Sequence, residues 1–234
     1  MYKRQPDYIS SLEKLPTRLR KRFLEGQYAD AAPDALWTEE LIDMHRVDGD
    51  QVPQFIRVVV AIDPSGSAED DNATNDEIGI IVGGLGVDGR GYVLEDVTVK
   101  TGPRLWGKIA TDAFDRNMAN LIVAETNFGG EMVKFVVTAA KPGVPFKKIT
   151  AARGKAVRAE PVSVLHDQGK IRFVGIFPEL EEELCGFTSR GYMGERSPNR
   201  ADAFVWLMSE LFPGIARQEP KKKQIEQPMM VWNG

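Results

Sequence analysis

The stretch Ile56-Arg57-Val58-Val59-Val60-Ala61-Ile62-Asp63 is a run of mostly β-branched apolar residues that ends on a carboxylate. A short run of this kind predicts a buried β-strand. A charged carboxylate at the end of such a strand is costly to desolvate unless it meets a cation. Asp63 is therefore the first candidate for a functional residue.

Two further acids have comparable surroundings. Glu125 closes the apolar run at 121–125, with polar and glycine residues directly after it, and Asp202 lies in the apolar-faced helix predicted at 199–206. Each acid has a structural alternative, since Asp63 could form a turn and Asp202 could complement a helix dipole. Functional sites in open sheets collect at the carboxyl ends of strands. Three converging carboxylates would form a site for hard divalent cations, which indicates metal-assisted phosphodiester hydrolysis.

Composition limits the other classes of function. The 234 residues are 42% hydrophobic and 27% charged, and the net charge of −4 argues against binding nucleic acid by bulk charge. Any contact with nucleic acid must then come from local basic patches. No apolar run approaches the ~20 residues of a membrane span, and no membrane partner is expected. Cys185 is the only cysteine, which excludes an internal disulfide and a thiolate zinc site.

The order of the predicted elements indicates an α/β fold, with a mixed β-sheet flanked by helices on both faces. We predict a helical arm or linker at 1–50, a main domain at 51–214 and a flexible tail at 215–234. The alternative for the first segment is that it packs on the main domain. The predicted strands are 56–63, 78–83, 92–99, 121–125, 146–150 and 171–174, and the predicted helices are 37–44, 103–117, 129–140, 157–168, 178–187 and 200–212.

Three weaker motifs do not support a function. Residues 84–89 match the glycine pattern of dinucleotide sites, but a strand follows them where a phosphate site needs a helix. Residues 70–76 resemble a calcium loop without its required glycine and glutamate. His45 and His166 are the only histidines, too few for a typical catalytic zinc site.

Five segments, in their order and spacing, resemble the nuclease domain of the large terminase subunit of tailed bacteriophages. They are residues 61–64, 75–80, 124–130, 152–161 and 197–203, and the resemblance extends over residues 6–213. It implies a ribonuclease H-like fold and an endonuclease that cuts concatemeric viral DNA during genome packaging. The ATPase motor of a complete terminase is not recognisable here, so we expect an excised domain or a separate motor polypeptide.

The resemblance also implies which residues bind metal. The three metal-binding acids of the family fall on Asp63, Glu125 and Asp202, which would hold two Mg²⁺ or Mn²⁺ ions, with Asp63 bridging both. Asp76 matches a further acid of the family that can lie near the metal.

A basic cluster provides candidate DNA contacts. Arg153, Lys155 and Arg158 follow the fifth strand, and we expect them to contact the DNA backbone, with Lys155 nearest the scissile phosphate. The alternative is a solvated helix start. Arg200 extends the cluster, and Asn127 lies beside glycines that would allow close approach to DNA. Backbone contacts do not read bases, so little sequence preference is expected.

The resemblance implies double-stranded DNA, the terminase ATPase motor domain, the small terminase subunit and the portal as partners, in the host cytoplasm. One alternative is another ribonuclease H-like nuclease, of the junction resolvase or integrase type. A second is a non-catalytic DNA-docking or motor-interaction module, which the basic, apolar-striped N-terminal segment favours.

Overall fold

Strands at the centre of the molecule form a mixed sheet. The computed structural model describes residues 20–26, 28, 31–64, 77–126, 130–151 and 154–214, and within these ranges seven strands pair in the order β1-β7-β4-β3-β2-β5-β6. The strands are β1 (Arg46–Val47), β2 (Phe55–Asp63), β3 (Gly79–Gly86), β4 (Gly91–Asp96), β5 (Leu121–Glu125), β6 (Phe146–Ile149) and β7 (Ile171–Val174), and a separate hairpin pairs β8 (Phe187–Thr188) with β9 (Gly191–Tyr192).

The connections explain the strand directions. β3 is antiparallel to β2 and to β4, and a short turn joins β3 to β4, where Gly89 adopts a φ of +75°. β5 is parallel to β2, β6 to β5 and β7 to β4, and helices make these crossovers because parallel strands cannot be joined by a tight turn. The helices are α1 (Glu39–Met44), α2 (Pro103–Arg116), α3 (Gly130–Ala140), α4 (Lys155–Asp167), α5 (Pro178–Cys185) and α6 (Asn199–Leu211).

Alternating side chains of the central strand divide the core into two layers. Val58, Val60 and Ile62 of β2 pack in a cluster with α2 and α3, whereas Val59 and Ala61 pack with α4, α5 and α6. This alternation follows from the two-residue period of a strand, and it confirms the predicted mixed sheet with helices on both faces. None of the helices in the described ranges has the length and apolarity that crossing a bilayer requires.

The described part of the N-terminal segment packs on the domain. Trp37 is fully buried in the core, and β1 adds an edge strand parallel to β7. Arg22 is buried, with a 2.8 Å ion pair to Asp43 and a 2.9 Å ion pair to Glu181 of α5. The described residues between 20 and 47 therefore pack on the main domain. Residues 1–19 and 215–234 lie outside the described residues, and the domain boundaries stay predictions.

Some predicted bounds are wrong at the ends of elements. The strand expected at 78–83 continues to Gly86, because glycines at 83, 84 and 86 stay paired with β2. The strand expected at 92–99 ends at Asp96, with a register shift in its pairing to β3. The helix expected at 178–187 ends at Cys185, because Phe187 pairs in β8.

Candidate metal centre

Two of the predicted acids lie side by side at the carboxyl ends of neighbouring strands. β2 and β5 are parallel neighbours in which Ile62 stands opposite Ala124, so Asp63 and Glu125 follow at corresponding positions. By strand alternation, both share the face of Val123, which packs in the core layer of α6. Adjacent strands are about 4.8 Å apart, so the two carboxylates emerge side by side beneath α6.

The third acid, Asp202, lies in the first turn of α6, above the carboxyl ends of these strands. Asp202 is 2% exposed, and α6 packs on β2 and β3. The Asn199 side-chain amide donates a 2.7 Å hydrogen bond to the Glu77 carbonyl. Glycine is required at position 79, since a Cβ there would lie 2.0 Å from the carbonyl oxygen of Asn199. These contacts hold the start of α6 against the start of β3 and thereby fix Asp202.

Asp63 is buried close to the other two acids. It is 8% exposed and, among the described residues, its carboxylate makes no hydrogen bond or ion pair. Burial raises the pKa of Asp63 well above its usual value, and the charges of Asp202 and Glu125 raise it further. Lys155 and Arg158 oppose these effects. The three carboxylates therefore interact directly, and an added cation would relieve their repulsion.

Two basic side chains from the first turns of α4 cover the acids. Lys155 Nζ pairs with Asp202 Oδ2 and lies 3.4 Å from Ser197 Oγ. Arg158 Nη2 lies 3.4 Å from Asp202 Oδ1, and Nη1 lies 3.8 Å from Glu125 Oε2. Residues three apart share a helix face, so the sequence spacing already places both cations on one side of α4.

The donor atoms suit a hard divalent cation, because carboxylate oxygens are the ligands that Mg²⁺ and Mn²⁺ prefer. The buried and uncompensated carboxylate of Asp63 fits the same requirement. As placed, no group of three or more His, Cys, Asp or Glu side chains in the described ranges could hold an ion. Lys155 and Arg158 engage two of the three acids instead. The assignment of these acids as metal ligands stays a prediction.

The remaining predicted site residues have different positions. Asp76, Asn127 and Arg153 lie outside the described residues. Arg200 is largely buried and pairs with Asp96 at 3.1 Å, with Glu183 at 3.5 Å and with Glu77. These three carboxylates give Arg200 a structural role in anchoring α6, and its contact with DNA stays a prediction.

Sequence reasoning missed two residues next to the acids. Glu183 accepts a 2.9 Å hydrogen bond from the backbone N–H of Ala201, and burial raises the pKa of Glu183 to about 7. Trp206 donates from Nε1 to Glu125 Oε2 at 3.2 Å. The only signal for Trp206 was its spacing of four residues from Asp202, which is also typical of a core position.

The mixed sheet, with a carboxylate at the end of its central strand and another on α6, defines a ribonuclease H-like domain. The sequence model of the family described as Terminase RNaseH-like domain matches residues 60–211. The chain belongs to this family, and the ribonuclease H-like fold predicted from the sequence is confirmed.

Solved structures with the same fold come from several phages. A mutant gp2c of the large terminase subunit from bacteriophage Sf6, with calcium, aligns with a TM-score of 0.57 and 15% identity over 74% of this chain and 98% of that chain. The P22 large terminase nuclease domain aligns with a TM-score of 0.56 and 14% identity over 77% and 96%. A large terminase from a thermophilic bacteriophage aligns with a TM-score of 0.56 and 12% identity over 79% of this chain and 47% of that chain. No curated protein sequence matches the chain.

Proposed function

We propose that this chain is the nuclease domain of a phage large terminase, a metal-dependent endonuclease that cleaves concatemeric viral DNA during packaging. One observation carries the proposal. The buried carboxylate of Asp63 interacts with those of Glu125 and Asp202, beneath Lys155 and Arg158, in a chain of the terminase family. Buried like charges of this kind are costly unless a cation or a substrate group uses them.

Asp63, Glu125 and Asp202 would hold two Mg²⁺ or Mn²⁺ ions. Such ions supply an activated water and stabilise the departing oxygen of the phosphodiester. Asp63 interacts with both other acids, which supports the bridging role. Related nuclease domains of Sf6 gp2 have been solved with calcium and with manganese, which supports a divalent cation.

Lys155 is the basic residue best placed to contact a phosphate. Its side chain is 45% exposed, whereas that of Arg158 is 11% exposed. We assign Lys155 to the DNA backbone near the scissile phosphate, with Arg158 nearer the carboxylates. Backbone contacts do not read bases, so cleavage is expected to show little sequence preference.

The partners follow from the same proposal. Double-stranded DNA is the substrate, and the ATPase motor, the small terminase subunit and the portal are the assembly partners, in the host cytoplasm. The chain covers 47% of the large terminase from the thermophilic bacteriophage, which supports a nuclease domain that works with a motor outside the matched region.

The test is plasmid cleavage with Mn²⁺ or Mg²⁺, with a chelator, and with Asp63→Ala. The Asp63→Ala variant should lose metal-dependent cleavage, whereas Asp112→Ala removes an exposed acid of α2 and serves as the matched control. Full cutting by Asp63→Ala would show that the assignment is wrong. Faster cleavage of four-way junctions than of linear duplex would favour a junction resolvase. No heat of Mn²⁺ binding and no cleavage by the wild type would favour the non-catalytic module.

A second experiment tests the DNA contact. Lys155→Ala should reduce the slope of log K against log salt by about 1, because one phosphate contact is lost. Lys108→Ala is the control, since Lys108 is exposed on α2 on the opposite face of the sheet. An unchanged slope for Lys155→Ala would remove this residue from the DNA contacts.

A further inference from the structure

Trp206 lies on the same helix as Asp202 and forms a hydrogen bond to Glu125. It lies four residues after Asp202, one helical turn along the same face, and it is 5% exposed. Its indole Nε1–H donates to Glu125 Oε2 at 3.2 Å, so the helix that carries Asp202 also holds the side chain of Glu125.

The same indole ring supports Arg158. The guanidinium carbon lies 4.2 Å from the Trp206 ring centroid, a cation–π contact, while the two Nη atoms lie near Glu125 and Asp202. Arg158 Nε and Nη1 are buried, without a hydrogen-bond partner in the described part of the chain. The ring face and the two ion pairs therefore hold the guanidinium together between the two carboxylates.

We propose that Trp206 is a positioning residue of the carboxylate site. Its N–H orients Glu125, and its ring face places Arg158 between Glu125 and Asp202. The inference rests on the function proposed above and extends it to a residue that is neither one of the proposed metal ligands nor one of the proposed DNA contacts. An indole N–H can only donate, so the orientation of this hydrogen bond is unambiguous. Groups that orient metal ligands typically contribute 10- to 100-fold to metal affinity or activity.

A comparison with another tryptophan argues against simple core packing. Trp37 is fully buried among aromatic rings, and its Nε1 has no hydrogen-bond partner in the described residues. The fold thus tolerates an indole that fills space with its N–H unused. In Trp206 the N–H is directed at an acid of the candidate site, and the ring face is covered by a cation of that site.

The experiment compares two tryptophan-to-phenylalanine variants of the full chain. Trp206→Phe keeps an aromatic face for Arg158 and deletes the N–H. Trp106→Phe makes the same change at a residue that is 3% exposed in the opposite core layer. The measurements are the Mn²⁺ dependence of plasmid cleavage, which gives kcat and the half-saturating Mn²⁺ concentration, and calorimetric Mn²⁺ binding without DNA. Thermal unfolding in chelator reports the loss of packing in each variant.

The proposal predicts a separation between these readouts. The half-saturating Mn²⁺ concentration should rise at least about 10-fold in Trp206→Phe, with a smaller change in kcat. In Trp106→Phe the half-saturating Mn²⁺ concentration should change less than about 2-fold. This should hold even if Trp106→Phe loses as much melting temperature as Trp206→Phe, or more. Trp206→Leu removes both the N–H and the ring face, so it should weaken Mn²⁺ binding beyond the phenylalanine variant.

Two results overturn the proposal alone. In the first, the wild type is active and Trp206→Phe has the same Mn²⁺ dependence as the wild type. In the second, the half-saturating Mn²⁺ concentration shifts equally in the two phenylalanine variants, and the shift follows their loss of melting temperature. A wild-type chain that neither binds Mn²⁺ nor cleaves DNA overturns the proposed function itself, and the positioning role with it.

Discussion

Asp63→Asn should stabilise the protein without metal, although it removes a central residue of the site. Asp63 is 8% exposed, makes no hydrogen bond or ion pair with the described residues, and is repelled by Asp202 and Glu125. An uncompensated buried polar group costs about 1–3 kcal/mol. The asparagine amide is neutral, similar in size and able to donate to a neighbouring carboxylate. We expect a gain of about 1–2 kcal/mol, or about 2–8 °C in melting temperature for a chain of this length.

The gain should depend on pH in one direction. Burial and the two neighbouring acids raise the pKa of Asp63 in the folded state above the ordinary value of 3.8. Below that value the carboxyl is protonated in both the folded and the unfolded states, and the variant and the wild type should be nearly equal in stability. Between 3.8 and the raised folded-state pKa, the unfolded wild type ionises while the folded wild type keeps its proton, so the wild type loses stability relative to the variant; above the folded-state pKa the loss is constant. The difference should therefore grow from about pH 4 upward and then level off.

Thermal unfolding in chelator at pH 4, 6 and 8 measures this difference. Asp96→Asn is the matched control, because Asp96 accepts from Arg200 Nε at 3.1 Å and from the Thr98 N–H at 3.0 Å and should lose stability on the same substitution. With saturating Mn²⁺ the wild type should gain melting temperature, and Asp63→Asn should gain little. An Asp63→Asn variant that melts below the wild type at pH 8 in chelator would refute the electrostatic reasoning.

Two further substitutions test how the fold is held together. Arg22→Met should cost about 2–3 kcal/mol in urea unfolding, because it leaves the fully buried Glu181 with one cationic partner fewer; an effect under 0.5 kcal/mol would contradict this. Gly79→Ala should cost about 1–3 kcal/mol and most of the cleavage activity, since its Cβ would clash with the Asn199 carbonyl, whereas Gly102→Ala meets no atom within 4 Å and should be tolerated. A fully active Gly79→Ala variant would show that the start of α6 need not be fixed.

The central strands could be predicted because their sequences carry a local signal. The bounds of β5 and β7 agree with the structure at both ends, and β2 differs by one residue. β2 and β5 are apolar runs that are buried on both faces over most of their length, and β7 alternates buried with half-buried residues. The signal lies within the run itself, so no knowledge of the partner strands was needed.

The two-residue strands could not be predicted in this way. β1 and the strands of the β8–β9 hairpin are too short to show a period, and the pairing of β1 depends on a partner elsewhere in the chain. Arg46 pairs with Phe173, 127 residues later, and nothing near Arg46 in the sequence indicates that contact. Short edge strands of this kind are determined by the tertiary structure.

In the candidate site, too, some residues could be predicted from the local sequence, whereas others depend on contacts between distant parts of the chain. Asp63 and Glu125 could be recognised because a carboxylate after an apolar strand is unusual, and Asp202 because it lies in an apolar-faced helix. The roles of Trp206 and Arg200 depend on where a side chain points, which the sequence does not state. Trp206 fits an apolar helix face, and Arg200 fits a basic patch, yet one donates to Glu125 and the other is enclosed by carboxylates.

The position of α6 requires an explanation, because repulsion between Asp63 and Asp202 favours their separation. The opposing contacts lie beside the site. Arg200, two residues before Asp202, is bound to carboxylates of β4 and α5, the Asn199 amide holds the Glu77 carbonyl, and Glu183 accepts the backbone N–H of Ala201. These contacts fix the first turn of α6. The fold therefore holds Asp202 beside Asp63 against their repulsion, and a cation that binds between them gains the part of the electrostatic energy that Lys155 and Arg158 do not relieve.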